Sequence, residues 1–134
     1  MRAMLLDAPA PIDTQPLRLD DVPVPAPAAD EVLIKVHACG VCRTDLHVVE
    51  GDLEVRRSPV IPGHQVVGTI EALGAEVSDR VVGERAGVAW LHRTCGCCSF
   101  CHSDRENLCD APDFTGWTVH GLSLIHISEP TRRR

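Results

Sequence analysis

Apolar positions along this chain fall mostly in short runs with a period of two. Val32, Ile34 and Val36 alternate with Leu33, Lys35 and His37, which predicts a strand over residues 31–38 whose second face Leu33 makes partly apolar. Ala3 to Leu6 predicts a short first strand. Gln65 to Leu73 and Arg80 to Trp90 predict two more, because Val and Ile dominate them and glycines interrupt them. From Pro9 to Pro27 prolines recur, and proline lacks the N–H that a helix interior or a central strand uses, so an extended surface arm is expected there. Cys42 to Glu50 reads as one or two helical turns closed by Gly51. Gly63, Gly68, Gly74, Gly83 and Gly87 recur between the strands and suit the corners and bulges of a small curled barrel, a mainly β fold, better than layered helices and sheet. There is no internal repeat.

Bulk properties narrow the classes. With 134 residues, 24% of them charged, the chain suits one globular domain. A formal net charge of -6 argues against a nucleic-acid partner, since the only basic cluster is the last three residues. The start MRAMLLDAPAPIDTQ has neither a basic leader nor an apolar core of a signal peptide, and no run approaches the roughly 18 apolar residues of a spanning helix. No membrane partner and a cytoplasmic location are therefore expected. In that reducing compartment seven cysteines, an odd number, point to metal binding before disulfides.

Cys95, Cys98, Cys101 and Cys109 carry a C-x2-C-x2-C-x7-C spacing that lets four thiolates reach one tetrahedral ion at about 2.3 Å each. Zinc is the natural occupant, and a site closed by four sulfurs is structural, with no open position for a substrate. Cys97 is surplus to the spacing. A sparser set lies upstream: Cys42, Thr44, Asp45 and His47 on the predicted turn and helix, and His64 after Gly63 at the mouth of a strand. Taken singly, a cysteine is more often a small core residue and a histidine a satisfied polar group.

In order and separation, ACGVCRTDLH over 38–47, PGHQVVGTIEALG over 62–74 and the four-cysteine lobe resemble the zinc-containing medium-chain alcohol dehydrogenases over about residues 1–121. The resemblance implies a GroES-like β-barrel with a zinc-stabilised cysteine loop. It makes Cys42 and His64 ligands of a catalytic zinc, and Cys95, Cys98, Cys101 and Cys109 those of the structural one. Thr44 and His47 match the proton relay, which valine at position 44 should stop. Arg43, with His47, matches cofactor-binding positions, where a guanidinium suits the pyrophosphate of NAD or NADP. Asp45 matches a carboxylate that orients a ligand such as His64, although a helix-start cap explains it as well. Trp90 matches a bulky residue that narrows the pocket for a small alcohol or aldehyde, or it is plain core packing.

Departures from the family pattern matter as much. Gln65 stands where Glu usually follows the Gly-His pair, so a neutral amide replaces a charge, leaving a more electrophilic but more weakly held zinc. The family takes its third catalytic ligand from a downstream Cys and its cofactor from a Rossmann domain with a G-x-G-x-x-G turn, and neither occurs in these residues. The chain alone is thus expected to be inactive, the N-terminal part of a full-length parent, to which the usual homo-oligomer contact would belong. After Gly121 the sequence LSLIHISEPTRRR resembles translated sequencing-adapter read-through, so residues 122–134 are expected to be a non-native tail; an authentic basic C-terminus is the alternative. Removing their net +2 takes the formal charge from -6 to -8. A stand-alone zinc-binding module without catalysis is the competing function. A zinc-free quinone reductase relative shares the fold but lacks the cysteine lobe.

Overall fold

The computed structural model describes residues 1–121 and, as backbone alone, residues 126–130. The strands are β1 (Arg2–Leu6), β2 (Leu17–Asp21), β3 (Glu31–Gly40), β4 (Gln65–Leu73), β5 (Arg85–Val88), β6 (Leu91–Arg93), β7 (Asp113–Phe114) and β8 (His126–Pro130), with one α-helix, α1 (Arg43–Glu50). Among the described residues they form three antiparallel sheets: β1-β2, β5-β4-β3-β8 and β6-β7. No described helix is long and apolar enough to cross a membrane.

The central pair β3 and β4 carries the core because its inward positions are β-branched. Val32, Ile34, Val66, Ile70 and Val88 are buried together, and Val32 and Ile34 have no exposed surface. Each such side chain contributes about 1.5–3 kcal/mol by leaving water. Leu33 is buried too, on the opposite face, as the pattern predicted. The ladder runs from Val32↔Leu73 to Gly40↔Gln65 with irregularities between Leu33 and Ile34 and between Val36 and Ala38. Gly68 faces Val36 beside the second of these; a Cβ there would stand 2.3 Å from the Lys35 carbonyl oxygen, so only glycine lets the strands approach.

The proline-rich stretch contains more structure than an arm. Leu17–Asp21 pairs along its length with β1, between Pro16 and Pro23, and its residues are mostly exposed, so it occupies an edge where proline on either side costs no ladder bond. The strand predicted over 80–90 is only Arg85–Val88: Val81 and Val82 are 65% and 61% exposed, in a turn where Gly83 adopts φ 92 and Glu84 accepts from Arg80 and from the Val81 N–H.

Helix α1 packs Val48 and Val49 on Leu6 and Val60, which are joined by a two-way backbone bridge (2.8 and 3.0 Å). Gly51, φ 84, ends it in the left-handed conformation that favours glycine. Strand β8 lies beside β3 from Glu31↔Pro130 to Lys35↔His126. The expected tail is therefore described only at 126–130; residues 122–125 and 131–134 lie outside the described residues.

Candidate metal centres

The turn from β3 into α1 creates the first centre. Cys42 is the residue before the helix (φ -120, ψ 164), and Asp45 sits three places on, where its Oδ2 accepts from the Cys42 N–H at 2.9 Å. The Cys42 sulfur in turn accepts from the Thr44 N–H at 3.4 Å. This reciprocal cap satisfies helix-start donors and fixes both side chains. The other carboxylate oxygen of Asp45 lies 2.8 Å from His64 Nδ1, so one aspartate contacts both the helix start and the histidine. The side chains of Asp45 and His64 are 12% and 5% exposed, a setting in which loss of either partner strands a polar group. His64 follows Gly63, φ 109, at the start of β4.

One sulfur, carboxylate or imidazole atom from each of Cys42, Asp45 and His64 lies within 4.8 Å of the others, close enough to hold an ion. Asp45 engages Nδ1 of His64, which leaves Nε2 as the ring nitrogen open to a metal. An apolar cleft of about 290 Å3 adjoins the centre, lined by Met4, Cys39, Val41, Asp45, Leu46 and Pro62 among others. Burial pushes the Cys39 thiol up, and the Asp45 charge adds to it.

The remaining residues singled out upstream divide. Arg43 is exposed on the first turn of α1 and Thr44 is half-buried beside it. His47 is one turn further on, its Nδ1 2.7 Å from Asp52 Oδ2. Gln65 is exposed, and its side chain lies over Gly40 across the ladder. Trp90 meets His64 edge-on, ring centroids 4.9 Å apart, and stacks on Phe114 (4.9 Å) and Trp117 (5.9 Å). It therefore both packs and walls the histidine. Sequence reasoning missed Phe114, Trp117 and Asp52. Trp90 and the pair Phe114 and Trp117 gather here from separate segments of the chain, and no local sequence signal marks their meeting.

The second centre is the loop between β6 and β7. Ligand atoms of Cys95, Cys98, Cys101 and Cys109 all lie within 4.8 Å of one another, with Cys98 to Cys101 at 3.5 Å and Cys95 to Cys101 at 3.9 Å. Backbone N–H groups aim at the sulfurs: those of Cys95 and Ala111 donate to Cys109 Sγ at 3.2 and 3.4 Å. The Cys97 and Cys98 amides do the same for Cys95 and hold its thiol down at about 6, and the Asp110 amide lowers Cys98. Burial pushes Cys101 up to about 11, with Cys98 adding to it. Four soft donors, converging and supplied with N–H partners, fit a metal ion bound tetrahedrally by thiolates, such as zinc. Cys97 is exposed and stands apart from the four.

Comparisons with known proteins agree with this geometry. Residues 28–128 match the family described as alcohol dehydrogenase GroES-like domain, which carries the match past residue 121. A Mycobacterium tuberculosis protein named "Probable alcohol dehydrogenase AdhA" is 50% identical over 126 residues, covering 90% of this chain and 36% of the relative. An alcohol dehydrogenase of Rhizobium meliloti is 50% identical over 108 residues, covering 80% and 32%. The chain thus spans about a third of the length of these curated relatives. A solved cobalt- and zinc-bound thermostable alcohol dehydrogenase from Pyrobaculum aerophilum superposes with a TM-score of 0.87 at 28% identity, covering 97% of this chain and 39% of that one. With the strands, the glycine-dependent bulge and both candidate metal centres in place, the match over 28–128 shows that this chain belongs to the alcohol dehydrogenase GroES-like domain family.

Proposed function

We propose that residues 1–121 are the N-terminal metal-binding part of a zinc-dependent alcohol dehydrogenase, whose full-length form interconverts an alcohol and its aldehyde or ketone with NAD or NADP. The observation that most supports this is the Cys42, Asp45 and His64 constellation beside an apolar cleft, in a chain with a second, four-cysteine centre. Cys42 and His64 would hold the catalytic zinc and the four cysteines a structural one. Held there by Cys42 and His64, such an ion would supply Lewis acidity toward the alcohol oxygen.

The chain's own residues account for the rest of the proton path. Asp45 holds His64 by Nδ1 and ties it to the helix start, so ligand and relay share one rigid element. The Thr44 hydroxyl can accept and donate at once, and His47 is its neighbour one turn along α1. Asp52 engages His47 Nδ1, which leaves Nε2 as the nitrogen that takes the proton. Arg43 is exposed and available to a cofactor pyrophosphate. Trp90 would narrow the alcohol site.

Cys42 and His64 alone make an incomplete catalytic site, and the 134 residues contain no G-x-G-x-x-G turn, so this chain by itself is read as inactive. We place it in the cytoplasm, where its thiols stay reduced, and assign any homo-oligomer to the full-length protein. Residues 122–134 are read as a non-native tail although the family match runs to residue 128; backbone pairing of 126–130 with β3 needs no particular side chains and is open to a native or a foreign strand alike. A stand-alone zinc module is the second reading, favoured by a four-cysteine centre complete within a third of the family length.

The test is a chimera in which residues 1–121 replace the matching third of the Rhizobium meliloti alcohol dehydrogenase. Alcohol-dependent reduction of NAD or NADP, lost in Thr44→Val, supports the enzyme reading. A folded, zinc-loaded chimera with no turnover would leave the module reading in its place.

A further inference from the structure

Trp117 stands behind the aromatic wall of the first centre. Its ring is nearly parallel to that of Trp90, 9° between planes and 5.9 Å between centroids, which is an offset stack. Trp90 in turn meets His64 edge-on at 4.9 Å. Two contacts fix Trp117 itself. Its indole N–H donates to the Glu54 carbonyl at 2.8 Å, and the Arg56 guanidinium lies 5.8 Å from the ring centre, held by Glu54 at 2.8 Å. Both tryptophans also pack on the cluster of Leu6, Val48, Val49 and Val60, two of which belong to α1.

The backbone around Trp117 is tied to the same place. Thr115, 1% exposed, donates from its N–H to the Trp90 carbonyl and from its hydroxyl to the Ala89 carbonyl, both at 2.9 Å. Gly116, φ 79, runs so close to Gly63 that a Cβ would stand 2.8 Å from the Gly63 carbonyl oxygen. One turn thus carries Trp117, touches the residue before His64 and holds Trp90 by its main chain. A ring on a pocket wall sets a sharp size limit only when neighbours lock its rotamer, and Trp117 supplies such a lock.

We propose that Trp117 is a positioning residue that sets which alcohols fit: by stacking on Trp90 it keeps that ring against His64, and so confines the site to short, unbranched alcohols. This rests on reading Cys42 and His64 as the catalytic zinc site and Trp90 as a wall of the alcohol site. Trp117 acts through Trp90. Without it, the Trp90 ring gains room to turn away from His64, the space beside the histidine grows, and longer alcohols gain relative to short ones. A role in packing alone has a different signature: the fold weakens, and short and long alcohols lose rate together.

Two measurements test this. The chain has two tryptophans, so in the full 134-residue protein carrying Trp117→Ala or Trp117→Phe all indole fluorescence comes from Trp90. Acrylamide quenching is expected to be about twofold stronger in Trp117→Ala than in Trp117→Phe, which keeps a flat ring for the stack. In the chimera with the Rhizobium meliloti enzyme, kcat/KM is measured for ethanol, butanol and hexanol. Trp117→Ala is expected to raise the hexanol-to-ethanol ratio about tenfold, through KM more than kcat, and Trp117→Phe to keep it within about twofold of the unsubstituted chimera. Should Trp117→Ala not fold, Trp117→Leu, which fills space without a flat face, replaces it in both measurements. Equal quenching in the two variants, or an unchanged ratio in a chimera that turns over, overturns the positioning role while leaving the dehydrogenase reading standing. A folded, zinc-loaded chimera with unsubstituted residues 1–121 and no turnover overturns that reading and the proposal together.

Discussion

Replacing Asp45 separates two jobs that one carboxylate performs. Its Oδ2 caps the Cys42 N–H at 2.9 Å and its Oδ1 meets His64 Nδ1 at 2.8 Å, with the two side chains 12% and 5% exposed. Loss of a helix-start cap removes about 0.5–2 kcal/mol. A buried hydrogen bond to a charged group is worth about 1.5–3 kcal/mol, and its loss leaves the imidazole without this partner. Asp45→Ala should therefore destabilise the domain by roughly 2–5 kcal/mol. At about 4 °C per kcal/mol for a domain of this size, the thermal midpoint of the zinc-saturated chain should fall by roughly 8–20 °C. Asp45→Asn keeps an oxygen for His64 but turns an NH2 group toward the Cys42 N–H, so it should lose about half as much. Circular dichroism melts of the three proteins read the ordering directly. A midpoint for Asp45→Ala within about 2 °C of wild type would refute the claim that this carboxylate joins helix start and histidine.

Other perturbations test separate parts of the account. Gly68→Ala would put a Cβ 2.3 Å from the Lys35 carbonyl oxygen and 2.6 Å from Ile34 Cγ2, so urea unfolding should show a loss of about 1–3 kcal/mol. Gly87→Ala, whose Cβ would meet only the Val66 carbonyl oxygen at 3.4 Å, should stay within about 1 kcal/mol of wild type. Burial holds His92 below its ordinary 6.5, assisted by Arg93 and opposed by Asp113 and Glu31, and burial with Arg57 lowers His120 likewise. Both favour the neutral ring in the fold, so their stabilising effect is full above 6.5 and is lost as pH falls through 6.5, where the unfolded chain takes up protons first. Urea midpoints measured down to about pH 5.5 should decline less in the His92→Gln, His120→Gln double variant than in wild type. A Gln65→Glu variant should retain zinc at the Cys42 centre of the active chimera longer against a chelator, if the missing charge weakens that site.

How much of this was visible in the sequence depended on the range of the signal. Alternation placed most of β3, because buried β-branched residues write a period of two into the chain, and the dominance of Val and Ile placed β4 at Gln65–Leu73. Hydrophobicity misled at Val81 and Val82, which are exposed in a turn set by Gly83 and the Arg80–Glu84 pair. Strands β6 and β7, three and two residues long, are too short to carry any period. Cysteine spacing disclosed the four-sulfur centre, since its ligands lie close along the chain. The stacking of Trp90 on Phe114 and Trp117, and the Asp52 contact to His47, depend on how the loops fold back and leave no local pattern. Asp45 was legible as cap or as orienting carboxylate, and the geometry has its two oxygens touch the Cys42 N–H and the His64 ring at once.

The central claim is a closed four-cysteine metal centre beside an incomplete catalytic one, and zinc stoichiometry of the folded chain tests it most directly. Native mass spectrometry of the reduced 134-residue protein, with and without residues 122–134, should show one tightly held zinc per chain, which disappears in Cys98→Ser and persists in Cys42→Ser. A folded chain without zinc, or a zinc that survives Cys98→Ser and is lost with Cys42→Ser, would contradict the account.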